Sequence, residues 1–77
     1  MEELIKVIVR GLVDEKDAIS VTQDQPDEEG VVVYHIHVAP DDMGRVIGKQ
    51  GRIAKAIRTV VRAAANRLDQ RVAVEID

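Results

Sequence analysis

Gly48 and Gly51 enclose two polar residues, Lys49 and Gln50, between a short apolar run and a long helical pattern. Glycine lacks a Cβ atom, so another backbone can approach it closely and it accepts dihedral angles that other residues resist. The pattern predicts a tight loop that leads directly into a helix beginning at Arg52. Because the first N–H groups of a helix have no partners within it, such a loop can hold an anion.

Basic residues surround this predicted loop. Lys49 lies within it, and Arg52 and Lys55 fall in the first turn of the helix that follows. Cations are unfavourable near a helix N-terminus, where acidic residues are preferred. A local conflict of this kind is typical of a functional site. We therefore predict that a ligand supplies the missing anion.

The charge of the chain is divided between its two halves. Residues 1–42 contain eleven acidic and three basic residues, whereas residues 43–77 contain eight basic and three acidic residues. Although the net charge is −3, this asymmetry suggests a polyanionic partner for the basic half. A second interpretation stays open, in which the basic residues form a solvated helix face that pairs with the acidic half.

Several classes of function find no support in the composition. The chain has no cysteine, which excludes disulfides and thiol catalysis and fits a cytoplasmic protein. No nucleophile, base and orienting group can be assembled around Ser20, so we predict no catalytic residues, no cofactor and no enzyme. His35 and His37 share a strand face without an evident third ligand, so we predict no metal site. Neither a signal peptide nor a membrane span is expected.

The apolar spacing predicts the order helix, strand, strand, short helix, long helix, strand. A helical connection between the second and third strands implies a parallel crossover, and the preceding hairpin adds an antiparallel strand. The prediction is a single α+β domain over residues 1–77, with a three-stranded mixed sheet and helices packed on one face. The predicted elements span residues 2–13, 18–23, 31–39, 42–47, 52–68 and 71–77.

Individual side chains can also be assigned from these patterns. Alternation in the second strand points Tyr34 toward the core together with Ile36. The segment Pro40-Asp41-Asp42 is predicted to end the strand and to cap the short helix, because an aspartate oxygen can accept from free N–H groups at a helix start. The long helix has an apolar stripe with helical spacing. Its predicted members are Ile53, Ile57, Val60, Val61, Ala64 and Leu68.

The segment from Ile47 to Gly51, set between two helices in this element order, resembles the I-G-x-x-G core of a type II KH domain. The resemblance covers the whole chain, and a stand-alone domain of this length resembles the KhpA family of small bacterial RNA-binding proteins. It implies that the loop clamps the backbone of about four nucleotides of single-stranded RNA. One departure is Ala54, because many KH domains have a bulky aliphatic residue at this position.

In such folds the RNA lies in a groove. The resemblance implies one wall at residues 45–55 and the other at residues 33–38 with the loop before them. The family motif itself carries over to the five residues from Ile47 to Gly51. We predict that Lys49 and Arg52 bind phosphates, that the glycines allow close backbone approach, and that the other positions make polar, apolar or flanking contacts. The predicted RNA-binding residues are Arg45, Ile47, Gly48, Lys49, Gln50, Gly51, Arg52, Ile53 and Lys55.

The resemblance further implies a cytoplasmic RNA chaperone or post-transcriptional regulator linked to cell division and cell shape. It also implies a homodimer, or a heterodimer with a second KH-containing protein. Two alternatives stay open: a protein-interaction or dimerisation module with the KH fold, favoured by the acidic first half, and a ribosome-associated assembly factor. Arg58, Arg62 and Arg67 extend the basic run and could contact RNA, protein or only solvent.

Overall fold

The structure, a computed structural model, describes residues 1–76 and follows the predicted order of elements. Short 3-10 turns at Lys16–Ala18, Pro40–Asp42 and Lys49–Gly51 lie in the connections. The helices and strands are α1 (Glu2–Arg10), β1 (Ser20–Gln23), β2 (Val31–His37), α2 (Met43–Ile47), α3 (Arg52–Arg67) and β3 (Arg71–Ile76).

The three strands form the predicted mixed sheet, with β2 in the centre. β1 pairs antiparallel with β2, so that Ser20 lies opposite His37. β2 pairs parallel with β3, so that Val31 lies opposite Arg71. Since only residues 68–70 separate α3 from β3 and the two elements pack together, α3 runs antiparallel to β3. The start of α3 and the start of β3 therefore lie at opposite ends of the domain.

The core lies between this sheet and the helices. Alternation in β2 buries Tyr34 and Ile36, which confirms the prediction for the only aromatic residue. Each fully buried aliphatic side chain contributes about 1.5–3 kcal/mol relative to exposure, so this small core relies on few residues. The largest fully buried side chains are Ile5, Ile36, Val9, Val46 and Val61.

The first helix is shorter than predicted. It ends at Arg10, because the N–H of Gly11 bonds the carbonyl of Ile8 and the N–H of Leu12 bonds that of Val9 as the chain turns. Val13 nevertheless remains in the core with 3% of its surface exposed. The apolar spacing thus predicted burial correctly but not the backbone conformation. Four other element ends differ from the prediction by one or two residues, as helix and strand ends commonly do, and the remaining described ends coincide with it. Position 77 lies outside the described residues.

The predicted apolar stripe of α3 is partly wrong. Val60 and Leu68 are 50% and 60% exposed, whereas Ala54 and Ala65 are buried. Alanine is small enough to let the helix lie close to the sheet, so α3 turns its alanine-containing face inward. The buried residues of α3 are Ala54, Ile57, Val61 and Ala65.

Candidate nucleic-acid interface

The loop between α2 and α3 has backbone conformations that favour glycine. Gly48 has φ 74° and ψ 176°, a combination that is essentially restricted to glycine. Gln50 (φ 57°, ψ 25°) and Gly51 (φ 73°, ψ 17°) are both left-handed. These angles turn the chain sharply, so that α3 begins at Arg52 directly after the loop, as predicted.

The two glycines are required for different physical reasons. A Cβ atom on Gly48 would overlap Cγ1 of Ile53 and lie 3.0 Å from the Cβ of that residue. A Cβ atom on Gly51 would meet no non-neighbouring atom of the described chain within 4 Å. Close packing therefore requires glycine at Gly48, whereas only the left-handed backbone favours it at Gly51.

The positive charge at the start of α3 is not compensated by any acidic residue in the described part of the chain. No side chain among residues 1–76 caps this helix, and its first turn contains no acidic residue. The side chains of Lys49, Arg52 and Lys55 are exposed, and none of them forms an ion pair within that range. The predicted cations and the free N–H groups of the helix are thus brought together around Gln50, which is also exposed.

Arg45 has a different environment, although the sequence groups it with the same site. Its guanidinium forms ion pairs with Asp14 and with Asp42, whose Oδ1 lies 3.2 Å from Nη1. The hydrogen bond to Asp14 is the main cause that raises the pKa of Arg45. The charge of this predicted RNA contact is therefore already compensated inside the protein.

The prediction that the Asp42 side chain caps α2 is wrong. Its carboxylate instead accepts hydrogen bonds from the backbone N–H groups of Asp14 at 3.2 Å and Glu15 at 3.0 Å. Asp42 is only 2% exposed. The bond from Glu15 is the main cause that lowers its pKa, against an opposing effect of burial. These two hydrogen bonds hold the segment after α1 against the start of α2.

The two predicted apolar contacts, Ile47 and Ile53, have unequal exposure. Ile47 is 37% exposed beside the loop. Ile53 is half-buried and faces α1, where it lines an entirely apolar hollow of about 220 Å³. We call this hollow the α1–α3 apolar surface, and its residues are Ile8, Leu12, Ile53, Ala56, Ile57 and Val60.

The acidic loop between β1 and β2 lies far from Gly48–Gly51. Gly30, at its end, shares a cavity with Asp69 and Arg71, which follow the end of α3. The Asp27 carboxylate accepts N–H groups of Glu29 and Val31 at 2.8 and 2.9 Å and so stabilises the turn. The loop that the resemblance places beside the groove is therefore at the opposite end of α3 from the glycines.

The outer face of the sheet carries a histidine between two carboxylates. Nε2 of His35 lies 3.0 Å from Asp24 and Nδ1 lies 3.6 Å from Glu75. Among residues 1–76, no group of three or more His, Asp or Glu side chains is arranged to hold a metal ion. Over the same part of the chain, no helix has the length and apolar character required to cross a membrane.

Comparison with known proteins decides the family. A model of the KhpA/KhpB KH domain matches residues 2–76. The chain belongs to this KH-domain family. It is 51% identical to RNA-binding protein KhpA of Caldanaerobacter subterraneus subsp. tengcongensis and 49% identical to that of Clostridium perfringens, each over 99% of both chains. KhpA of Aquifex aeolicus is 40% identical over 99% of this chain and 94% of its own length.

Solved structures agree with this assignment at the level of fold. A variant of Era from Aquifex aeolicus bound to GDP and aluminium fluoride superposes with a TM-score of 0.66. Era in complex with MgGDPNP and nucleotides 1506–1542 of 16S ribosomal RNA gives 0.65. Both are 23% identical, and the match covers 96% of this chain but only 28% of each Era chain. The KH fold predicted from the sequence is confirmed, and because the family is not one of enzymes, so is the prediction that the chain is not an enzyme.

Proposed function

We propose that the chain binds single-stranded RNA through residues 48–51 and the first turn of α3. The observation that carries the proposal is the uncompensated charge of Lys49, Arg52 and Lys55 beside an uncapped helix start. A phosphate group placed there accepts N–H groups and neutralises the cations. The relatives named RNA-binding protein KhpA support RNA as the source of that phosphate.

Each predicted site residue has a distinct part in this proposal. Lys49 and Arg52 neutralise phosphates, and Lys55 continues the positive charge. Gly48 and Gly51 allow the backbone to approach the strand, and exposed Gln50 offers a polar contact. Ile47 supplies exposed apolar surface, whereas Ile53 supports Gly48 from the side of α1. Arg45 contributes least, because Asp14 and Asp42 already neutralise it.

The proposed recognition is of modest affinity and weak sequence preference. Many RNA-binding proteins stack bases on exposed aromatic side chains. Tyr34 is the only aromatic residue of the chain and is 7% exposed in the core. Contacts therefore depend on backbone N–H groups, charge and aliphatic surface. We propose that residues 1–77 act as one domain in this role.

The test is the double variant Lys49→Asp/Gln50→Asp, titrated with a pool of short single-stranded RNA at two salt concentrations. Aspartate is compatible with the left-handed backbone at Gln50, so the loop keeps its shape. We expect wild-type affinity to fall with salt by a slope of about −0.7 per phosphate neutralised. The variant should lose at least about tenfold in affinity, because two added carboxylates repel the phosphate.

The matched control is Arg10→Asp/Gln25→Asp, which makes the same change in charge at exposed positions outside the loop. It should bind RNA nearly as well as wild type, with folding of every variant checked by thermal melting. Equal losses for the two double variants would show that only net charge matters. A Lys49→Asp/Gln50→Asp variant that binds as tightly as wild type would exclude the loop as the binding site.

A second candidate, a protein-interaction role, is favoured by the α1–α3 apolar surface. Its exposed members on α3 are Ala56 and Val60, and Val60 is 50% exposed. We propose that a second copy, or another KH-containing protein, packs on this surface. Sedimentation of wild type and Val60→Glu at low and high salt tests self-association. A dimer that the variant abolishes and salt leaves intact supports it; a wild-type monomer at all concentrations excludes the homodimer.

We propose the finer parts of the function by resemblance to the KhpA family, to which the match of the family model lends support. They are a cytoplasmic location and a role as RNA chaperone or post-transcriptional regulator that affects cell division and cell shape. A ribosome-associated assembly factor would use the same RNA chemistry, so binding measurements alone do not separate the two. Isolation of the RNA that is crosslinked to Lys49 in cells distinguishes messenger or small RNA from ribosomal RNA.

A further inference from the structure

Helix α3 has three sides of different character. One side is buried against the sheet and contains the alanine-rich row that includes Ala54 and Val61. A second side, with Ile53 and Val60, forms part of the α1–α3 apolar surface. The third side is positively charged. We call it the basic stripe, and its residues are Arg52, Lys55, Arg58 and Arg62.

The basic stripe is continuous, and no acidic residue of the described chain compensates its charge. At about 100° per residue, its four cations occupy about 120° of the helix circumference, and they rise by about 15 Å from Arg52 to Arg62. All four side chains are exposed, and none forms an ion pair within residues 1–76. The usual stabilising contact for a charged helix surface, an acidic residue three or four positions away, is absent from residues 52–67.

Arg58 fixes the direction in which the stripe faces. Its Nε donates a hydrogen bond to the carbonyl of Val74 in β3 at 3.1 Å. Because β3 is an edge strand, the stripe runs along the side of the domain that is formed by α3 and β3, away from α1. The bond uses one of the five N–H donors of the guanidinium. The group is therefore held in position with donors remaining for a phosphate.

The two ends of the stripe differ in charge. It begins at the Gly48–Gly51 loop, so Arg52 and Lys55 belong both to the stripe and to the proposed RNA site. Beyond its other end lies the loop before β2, which contains Asp24, Asp27, Glu28 and Glu29. These carboxylates repel a phosphate chain. On this side of α3, positive charge therefore extends from the loop to Arg62, and negative charge follows beyond the end of the helix.

We propose that bound RNA continues from the loop along the basic stripe, where Arg58 and Arg62 each neutralise one additional phosphate. The inference rests on the proposed function of the Gly48–Gly51 loop and extends it beyond the roughly four nucleotides that such a loop clamps. Longer single strands then bind more tightly than strands of about four nucleotides. Arg67 lies off the stripe, about 120° from its centre, and takes no part.

Arg62→Gln tests the inference, with Arg67→Gln as the matched control. The two substitutions remove the same charge from exposed positions of one helix, and Arg62 has no hydrogen bond or ion pair in the described chain that its loss would disturb. Binding is measured with oligouridylate of about four and about ten nucleotides over a range of salt. Arg58→Gln is a less clean test, because it also removes the bond to Val74.

For the longer RNA, Arg62→Gln should lower affinity about fivefold at 0.1 M salt and reduce the salt slope by about 0.7. A difference of about 0.7 in slope changes the ratio of the two affinities about fivefold between 0.1 and 1 M salt. For the short RNA, Arg62→Gln should bind like wild type, and Arg67→Gln should do so for both lengths. This length-dependent loss is the result that supports the stripe.

Two results would overturn the inference, and they are distinguishable. If Arg62→Gln and Arg67→Gln have the same effect on the longer RNA while Lys49→Asp/Gln50→Asp abolishes binding, the stripe is not a track and the loop proposal stands. If Lys49→Asp/Gln50→Asp binds both RNAs like wild type, the proposed function is wrong and the extension is wrong with it.

Discussion

The starts of α2 and α3 lie close together in the chain but differ in whether their charged groups have partners within the protein. At α2, the buried carboxylate of Asp42 accepts two backbone N–H groups, and Arg45 is paired with both Asp42 and Asp14. At α3, no described side chain caps the helix start, and Arg52 and Lys55, which follow Gly51, have no acidic partner among residues 1–76. The start of α2, which we call the closed helix start, thus has its anion within the protein. The start of α3, which we call the open helix start, has none among the described residues, and our proposal is that RNA supplies it.

This difference separates structure from function within a single basic segment. Composition alone groups Arg45 with Lys49 and Arg52, because no acidic residue interrupts residues 44–68. A compensated cation is already paired with carboxylates of the protein, whereas an uncompensated one beside free N–H groups is available to a phosphate. Three kinds of variant test this distinction. They alter the backbone at the start of α3, weaken the hydrogen bonds of Asp42 at the start of α2, or remove one cation from each site and compare the effects on RNA affinity.

Gly48→Ala should have the largest effect, because it disturbs the backbone conformation that positions the open helix start. The new Cβ atom would overlap Ile53 in a conformation that only glycine adopts readily. We expect a loss of about 3 kcal/mol in the free energy of unfolding, measured with urea. Gly51→Ala, which adds only left-handed strain, should cost about 1 kcal/mol.

A loss of about 3 kcal/mol is a large part of the stability of a small domain. Circular dichroism therefore first establishes whether Gly48→Ala is folded at all. An unfolded Gly48→Ala beside a folded Gly51→Ala agrees with the prediction. Equal losses in the two variants would contradict the packing of Ile53 against Gly48 and leave backbone conformation as the single reason for both glycines.

Asp42→Asn should have the next largest effect, since it weakens the closed helix start. The N–H of Glu15 is the main cause that lowers the pKa of Asp42 below its ordinary value of 3.8. The ionised carboxylate therefore stabilises the fold above that pH, and the contribution is lost as the pH falls through the lower folded-state pKa. Asparagine keeps an acceptor but not the charge. We expect Tm to fall by several degrees at pH 7.

The pH dependence distinguishes this account from a simple packing defect. The difference in Tm between wild type and Asp42→Asn should shrink as wild-type Asp42 becomes protonated in acid. A difference that stays constant from pH 7 into the acid range would show that the charge of Asp42 is not what fastens the segment after α1. RNA affinity, compared at a temperature where both proteins are folded, should change little.

The fold was predictable because the patterns that specify it are local. Alternation in β2 identifies a strand that is buried on one face, and Tyr34 and Ile36 lie where it predicts. The two glycines identify the loop, since its conformations require or favour that residue. Neither inference needs knowledge of which distant segments meet.

The closed helix start was not predictable for the opposite reason. Asp42 contacts the N–H groups of Asp14 and Glu15, which are 28 and 27 positions away, and no periodicity in the sequence records such a pairing. The side of α3 that faces the sheet was misassigned because Ala54 and Ala65 carry little hydrophobic signal. Larger residues such as Val60 dominate the pattern although they lie at its edge.

The smallest expected effect, Arg45→Gln, is the sharpest test of the comparison. Its charge is already neutralised by Asp14 and Asp42, so its removal should change RNA affinity by less than about twofold. Lys49→Gln removes one charge from the open helix start and should lower affinity about fivefold at 0.1 M salt. Both are measured by fluorescence anisotropy with the same single-stranded RNA, below the temperature at which either variant unfolds.

Asp14→Asn completes the design, because it frees Arg45 from one partner without touching the loop. If compensation is what keeps Arg45 out of the site, this variant should bind RNA slightly more tightly than wild type and show a steeper salt slope. Combining it with Arg45→Gln should cancel the gain. Equal losses for Arg45→Gln and Lys49→Gln would instead mean that RNA displaces the carboxylates, and that the starts of α2 and α3 together form one binding surface.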